Sequence, residues 1–237
     1  MSKDHLSFSA INGFMECEAR QKALDDGLWE FKESQGMLEG RLLEAILCND
    51  AYPAGTTKKD GSLYAWAKGI TETANRMKKD RLIEEFLLGE YQKKYEFEFD
   101  GINYISIPDI VNDKENRIVD IKKTTSLLPQ YSQKFGTRVM FYTERNYFLQ
   151  LALAWHVRGR KDRCYLMAAT SENPGDFIIY ELSMADMSIA LDDVLIVHKH
   201  ILDVRTGVTP PMRCEKCDYC RSTKIGQIAK AERFLDA

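Results

Sequence analysis

The sequence contains no run of about eighteen consecutive apolar residues, the length that a membrane-spanning helix needs. Its first residues also lack the basic and then apolar pattern of a secretory signal. Positive charge is not in excess, because 33 Lys and Arg stand against 36 Asp and Glu and the formal net charge is -3. We therefore expect a soluble, cytoplasmic protein without a membrane partner, in which any nucleic-acid binding depends on local basic patches.

The sequence also lacks internal repeats, low-complexity tracts and a convincing interdomain linker. With 237 residues, 44% of them hydrophobic, the chain is long enough to bury a core as one domain. Its six cysteines would indicate disulfides in a short secreted chain, but this chain is neither short nor addressed for export. We expect one domain over residues 1–237, with thiols that are reduced or bound to a metal.

The order of predicted elements indicates the fold class. Periodicity and capping residues predict helices at about residues 7–26, 33–48, 62–88, 144–157 and 183–205, and a short charged helix at the C-terminal end. Alternation predicts strands at residues 95–99, 102–111 and 118–121, forming an antiparallel meander within about residues 90–125, and a later strand pair at 164–169 and 177–182. This pattern predicts an α/β fold in which a central mixed sheet, including the meander, is flanked by helices.

The most informative segment is the predicted hairpin of residues 107–111 and 118–123. Side chains alternate along a strand, so Asp120 and Lys122 share one face while Lys123 lies on the other. If residues 111 and 118 pair across the turn, Asp109 lies directly opposite Asp120, with their Cβ atoms about 5 Å apart. Two carboxylates so close destabilise each other unless a cation lies between them.

Paired carboxylates of this kind suit a hard divalent ion such as Mg²⁺ or Mn²⁺, which prefers oxygen ligands and retains several waters. Such an ion polarises a phosphoryl oxygen and lowers the pKa of bound water. Lys122 beside the ion could position the attacking water or stabilise charge developing on the phosphate. Lys123 is expected to point away, toward the substrate backbone or into solvent. Such an ion thus supplies the chemistry that phosphodiester hydrolysis requires.

Pro108-Asp109 and Asp120-Ile121-Lys122 resemble the two halves of the PD-(D/E)XK signature, as found in RecB- and RecE-like recombination exonucleases of phages and bacteria. The resemblance implies a restriction-endonuclease-like core and a magnesium-dependent deoxyribonuclease. It also implies a further metal ligand on a preceding helix. Here Glu39 occupies the position usually held by His, and Glu44 is the alternative.

A later helix in that family brings a Tyr and a Gln near the DNA, and Tyr147 and Gln150 resemble that pair. The match is incomplete, because the Q-x-x-x-Y form needs Tyr at the position where this chain has Ala154. Gln150 can hydrogen-bond to phosphate or to a metal-bound water. The resemblance thus implies that Tyr147 and Gln150, with Lys123, contact DNA.

Cys214, Cys217 and Cys220 have C-x-x-C-x-x-C spacing among charged residues, where packing of a free thiol is a poor explanation, so metal ligation is favoured. Cys17 stands where several members of the nuclease group place an early cysteine, and the resemblance implies that these four hold a [4Fe–4S] cluster. Close spacing of three thiolates suits such a cluster, whereas zinc with four cysteines usually uses two separated pairs. Zinc and an empty thiol cluster remain open. The cluster would fasten the N-terminal helix to the tail, at about residues 207–237.

The resemblance implies a DNA exonuclease of phage or bacterial recombination and repair, with a recombination annealing protein or a helicase as a further partner. Two alternatives stay open. One is an endonuclease of the same superfamily, since access to the site decides between cutting at ends and cutting within a strand. The other is a non-catalytic module that binds nucleic acid through its metal cluster and basic patches.

Overall fold

The computed structural model describes residues 5–172 and 174–226, and most of the segment predicted as a charged C-terminal helix lies outside them. In this part of the chain the helices are α1 (Phe8–Glu16), α2 (Glu18–Asp25), α3 (Gln35–Leu47), α4 (Ala65–Met77), α5 (Arg81–Phe86), α6 (Phe141–Glu144), α7 (Tyr147–Val157), α8 (Met184–Thr206) and α9 (Asp218–Ser222). The strands are β1 (Leu6–Ser7), β2 (Glu90–Tyr91), β3 (Tyr95–Phe99), β4 (Ile102–Ser106), β5 (Ile110–Asn112), β6 (Arg117–Thr124), β7 (Gln130–Ser132), β8 (Thr137–Val139), β9 (Arg163–Thr170) and β10 (Phe177–Glu181). No helix among the described residues is long and apolar enough to cross a membrane.

The central sheet has the strand order β10-β9-β6-β5-β2. β6 and β9 run parallel, and the other neighbouring pairs run antiparallel. β6 thus lies in the middle of the sheet, with a partner along each edge. Together with the flanking helices, this arrangement confirms the predicted α/β fold with a central mixed sheet.

Two apolar clusters cover the opposite faces of this sheet. The first includes Ile118 and Leu166 and packs against α1, α7 and α8. The second includes Val119, Ile121 and Met167 and packs against α3, α4 and α5. Because burial of one Ile or Leu side chain stabilises a fold by roughly 1.5–3 kcal/mol, apolar residues on both faces fix β6 in the interior. Polar side chains on β6 are therefore held in place by the core.

The antiparallel meander within residues 90–125 consists of β2, β5 and β6, which differs from the prediction. The predicted strand 102–111 is broken, because Pro108 has no N–H to donate to a strand ladder. Its first part, β4, pairs with β3 and with β1 in a separate sheet. Its last part, β5, joins the central sheet, so the chain changes sheets immediately before Asp109.

The predicted helices at about 7–26 and 62–88 are each divided in two, and the helix predicted at 144–157 begins three residues later, as α7. Cys17 has extended backbone angles between α1 and α2, and its Sγ accepts the N–H of Arg20 at 3.5 Å. Asp80 starts α5 by accepting the N–H groups of Leu82 and Ile83. Asn146 has a left-handed backbone conformation, with φ 57°, between α6 and α7. The predicted helices at about 33–48 and 183–205 are confirmed as α3 and α8.

Candidate active site

The two strands β5 and β6 bring the predicted carboxylates together. Val111 pairs with Ile118, which is the register expected from the sequence. Asp109 immediately precedes β5 and lies beside Asp120. Its Oδ2 accepts the backbone N–H of Ile121 at 2.6 Å, so the Asp109 side chain is directed toward β6. The pairing of β5 with β6 and the hydrogen bond to Ile121 therefore fix the positions of both aspartates.

Asp120 is the centre of a buried polar group. Its side chain is fully buried, and its Oδ1 accepts the Nε2–H of Gln150, on α7, at 2.9 Å. Its Oδ2 forms an ion pair with Lys122, whose side chain is 16% exposed. The Lys122 Nζ in turn lies 4.9 Å from the ring centroid of Tyr147. Four residues singled out in the sequence are thus in one contiguous group, and Asp120 is not a surface carboxylate.

The electrostatics of this group indicate an excess of negative charge. Burial, followed by the Asp120 and Glu44 carboxylates, raises the pKa of Asp109 well above its usual range. Burial alone would lower the pKa of Lys122, but Asp120 and Asp109 outweigh burial and raise it. One ammonium group therefore faces several carboxylates. This donor set of buried oxygens fits a hard divalent cation, which would relieve the repulsion.

Glu39 and Lys123 are placed differently from the prediction. They form an ion pair with each other, and each side chain is only 9% exposed, so Lys123 does not extend into solvent. The Nε2–H of Gln35 also donates to Glu39, at 2.8 Å. The carboxylate of Glu39 is thus already partnered by a cation. The side chains of Lys122 and Lys123 lie on opposite faces of β6, as the alternation predicted.

Glu44, the alternative ligand, is the α3 carboxylate close enough to Asp109 to raise its pKa. Gln92 links the two residues: its backbone N–H donates to the Asp109 carbonyl oxygen at 2.9 Å, and its Nε2–H donates to Glu44 at 2.6 Å. No sequence motif indicates Gln92 as a site residue. Its φ of 49° is uncommon for a residue with a side chain, and that backbone conformation is not visible in a hydrophobic pattern.

A cleft of about 1760 Å³ opens beside the group. Its lining residues include Lys122, Tyr147 and Glu44, together with Arg41 and Arg145. Small-molecule pockets are usually about 300–1,000 Å³, so this cleft has room for a polymer. A polynucleotide could reach Lys122 through it.

The four cysteines predicted as ligands converge at a second place. The Sγ atom of Cys17 lies 3.5 Å from that of Cys220 and 3.7 Å from that of Cys217, and the Cys214 and Cys220 sulfurs are 3.9 Å apart. All four sulfurs lie within 4.8 Å of one another, and all four thiols are free. Ligands 2.3 Å from one tetrahedral ion would be about 3.8 Å apart, so the spacing matches a metal centre.

The thiols of this cysteine site differ in acidity. Burial raises the pKa of Cys17 to about 12. For Cys214, burial is outweighed by the backbone N–H groups of Lys216 and Cys217, and the pKa falls to about 6. Since thiolates are the metal-binding form, Cys214 gives up its proton more readily than Cys17, whose proton a cation must displace.

The site also ties together distant parts of the chain. The N–H of Ala19 donates to the Met212 carbonyl at 3.0 Å, and the N–H of Met212 donates to Glu18 at 2.8 Å. The rings of Trp29 and Tyr219 meet edge to face, 5.4 Å apart. A metal held here would fasten α2 to the segment that carries α9.

Replacing Asp109 with Asn should stabilise the metal-free protein above the ordinary pKa range of Asp. Because the folded state raises the pKa of Asp109, its contribution to stability is greatest at low pH and is lost as pH rises through that pKa. We expect the variant to melt at a higher temperature than the natural chain at pH 7 in EDTA, and the difference to shrink as the pH falls. Melting curves from pH 4 to 8 test this, and an unchanged or lower Tm in the variant would contradict it.

Comparison with known proteins agrees with this geometry. Residues 7–223 match the family described as a PDDEXK-like domain of unknown function, DUF3799. A crystal structure of a candidate exonuclease from Eubacterium rectale superposes with a TM-score of 0.88 at 22% identity, covering 97% of this chain and 91% of that one.

A second solved structure, that of SSO0001, is 13% identical over 81% of this chain and 94% of that one, but its TM-score of 0.28 is too low to bear on the fold. No curated protein matches the chain. Because the match spans residues 7–223, the chain belongs to the family of PDDEXK-like domains of unknown function, DUF3799.

Proposed function

We propose that this chain is a divalent-metal-dependent nuclease that hydrolyses phosphodiester bonds in DNA, acting as one domain. The observation that carries the proposal is the convergence of Asp109 and Asp120 beside Lys122, which lines a cleft large enough for a polynucleotide. Two carboxylates and an ammonium group in this arrangement have a direct use in phosphoryl chemistry. A non-catalytic module would not need buried acids at that position.

Each residue of the group has a role in this proposal. Asp109 and Asp120 hold the metal ion, with Glu44 as the third carboxylate in preference to Glu39, whose charge is taken up by Lys123. Magnesium or manganese, when bound, supplies polarisation of a phosphoryl oxygen and acidification of water. Gln150 fixes the orientation of Asp120 through its hydrogen bond.

Lys122 and Tyr147 form the contact between the buried acids and the substrate. Lys122 lines the cleft while it pairs with Asp120, so its ammonium can stabilise negative charge that develops on the phosphate. The Tyr147 ring beneath the ammonium limits the directions that Lys122 can take. Tyr147 is therefore a positioning residue, and it faces the same cleft as Lys122.

We further propose that the enzyme is an exonuclease of recombination or repair. The name of the Eubacterium rectale relative and the resemblance of the motifs to RecE-like enzymes support cutting from ends. Incubation of linear and covalently closed circular DNA with Mg²⁺ tests this, with degradation of the linear form alone expected. Equal cutting of the circle would instead identify an endonuclease.

We propose that the cysteine site holds a structural metal centre, either one zinc ion or an iron–sulfur cluster. Its four sulfurs are close enough to share one centre, and Cys17 lies more than 190 residues from the other three along the chain. An iron–sulfur cluster would give brown protein with broad absorbance near roughly 400 nm when purified without oxygen. Zinc would leave the protein colourless, and metal analysis separates the two.

A further inference from the structure

A short hairpin, β7 and β8, follows β6 and precedes α7, the helix that carries Tyr147 and Gln150. In the described part of the chain its two strands pair only with each other, and Tyr131 lies opposite Arg138. The turn is closed by the N–H groups of Phe135 and Gly136, which donate to the Oγ and the carbonyl oxygen of Ser132. Ser132 is buried, so the hairpin has a defined inner face.

The outer side of this hairpin exposes aromatic rings beside positive charge. Tyr131 is 67% exposed and Phe135 is 45% exposed. Lys134 lies over the Phe135 ring, with its Nζ 5.1 Å from the centroid. Among the described residues, neither Lys134 nor Arg138 has a carboxylate partner. Residues 125–143 contain these two cations and no Asp or Glu, although the whole chain carries a net charge of -3.

The hairpin is continuous with the catalytic cleft. Gln130 and Val139, the paired residues at its base, line the same cleft as Lys122 and Tyr147. A strand that leaves the active site on this side would therefore meet the exposed rings of Tyr131 and Phe135. Alternating rings and cations match the faces of bases and the charges of phosphates.

We propose that the hairpin of residues 130–139 binds single-stranded nucleic acid, with Tyr131 and Phe135 stacking on unpaired bases and Lys134 and Arg138 contacting phosphates. The faces of bases within a duplex are already covered by their neighbours, so exposed rings can stack only on unpaired bases or on a frayed end. The substrate class that follows is DNA with an unpaired end or overhang. This inference rests on the proposed nuclease function and extends it to the choice of substrate.

The test is equilibrium binding in EDTA, where cleavage cannot occur. Fluorescence anisotropy with a labelled single-stranded oligodeoxynucleotide and with a blunt duplex of equal length compares the natural chain with the double variant Tyr131→Ala/Phe135→Ala. We expect the double variant to bind the single strand at least about tenfold more weakly, from the loss of base stacking, and to bind the duplex unchanged. A 2-aminopurine base in the strand should be quenched by the natural chain and less so by the variant.

Two further variants separate stacking from structure. Tyr131→Phe/Phe135→Tyr keeps both rings and should bind like the natural chain, whereas Tyr64→Ala removes an exposed ring that does not line the cleft and should have no effect. Three results would each overturn the inference. They are unchanged binding by the double alanine variant, equal losses of binding for the single strand and the duplex, and no binding of the single strand by the natural chain. A loss of self-association in the variant would instead identify a second copy as the occupant. Absence of metal-dependent cleavage by the natural chain would overturn the proposed function separately.

Discussion

We expect replacement of Asp120 with Asn to lower the rate of the proposed metal-dependent DNA cleavage by at least about 1000-fold, the scale on which single preorganised catalytic groups contribute. The variant keeps the shape of the side chain but removes the charge that pairs with Lys122 and would hold the metal ion. The side-chain amide oxygen of Asn can still accept the hydrogen bond from Gln150, so the fold is expected to persist. Cleavage of an end-labelled linear duplex with Mg²⁺ measures the effect, and circular dichroism confirms that the variant is folded.

The carboxylates of α3 provide matched controls for this experiment. Glu44→Gln should lower cleavage, because Glu44 lies near Asp109 and shares a hydrogen-bond network with it through Gln92. Glu39→Gln should leave cleavage nearly unchanged, since Glu39 pairs with Lys123. Cleavage by the Asp120→Asn protein close to the natural rate would contradict the assignment, and so would a larger loss from Glu39→Gln than from Glu44→Gln.

We expect replacement of Cys217 with Ser to abolish metal binding at the cysteine site and to lower Tm by about 10 °C or more. Structural metal sites contribute several kcal/mol to folding, and each kcal/mol shifts Tm by roughly 2–4 °C in a chain of this size. In this protein the cysteine site joins α2 to the α9 segment, which buries little other apolar surface. Metal analysis and melting curves on the same samples measure both effects.

Cys48→Ser is the control for this prediction. Cys48 is half-buried at the end of α3, and it is not one of the four cysteines that converge. The control should keep the full metal content and lose little stability. If Cys217→Ser melts at the natural temperature with its metal content intact, the four sulfurs do not hold a metal.

The local features of the site could be predicted because they depend on neighbouring residues. Alternation along β6 places Asp120 and Lys122 on one face, and a short turn fixes the register of β5 and so the position of Asp109, which immediately precedes it. The pattern C-x-x-C-x-x-C likewise indicates a shared ligand set, whatever the rest of the fold. These predictions needed only the geometry of a hairpin and the chemistry of thiols.

The features that were predicted differently depend on distant contacts. The pairing of Glu39 with Lys123 joins a helix to a strand more than 80 residues later, and no spacing rule indicates it. The break at Cys17 occurs because its sulfur turns toward cysteines about 200 residues away, although the apolar pattern continues across it. The change from one sheet to the other at Pro108 was predictable, because proline has no N–H and is rare inside a strand that pairs on both sides.

The central claim is that Asp109 and Asp120 bind one divalent ion together. Crystals soaked in Mn²⁺ would report this directly, because the anomalous signal of manganese locates the ion without reference to the protein. We expect a peak between the two carboxylates, within about 2–2.3 Å of an oxygen from each, and no such peak in the Asp120→Asn protein. Mn²⁺ bound elsewhere in the cleft, in an enzyme that cuts DNA with both aspartates free of metal, would contradict it.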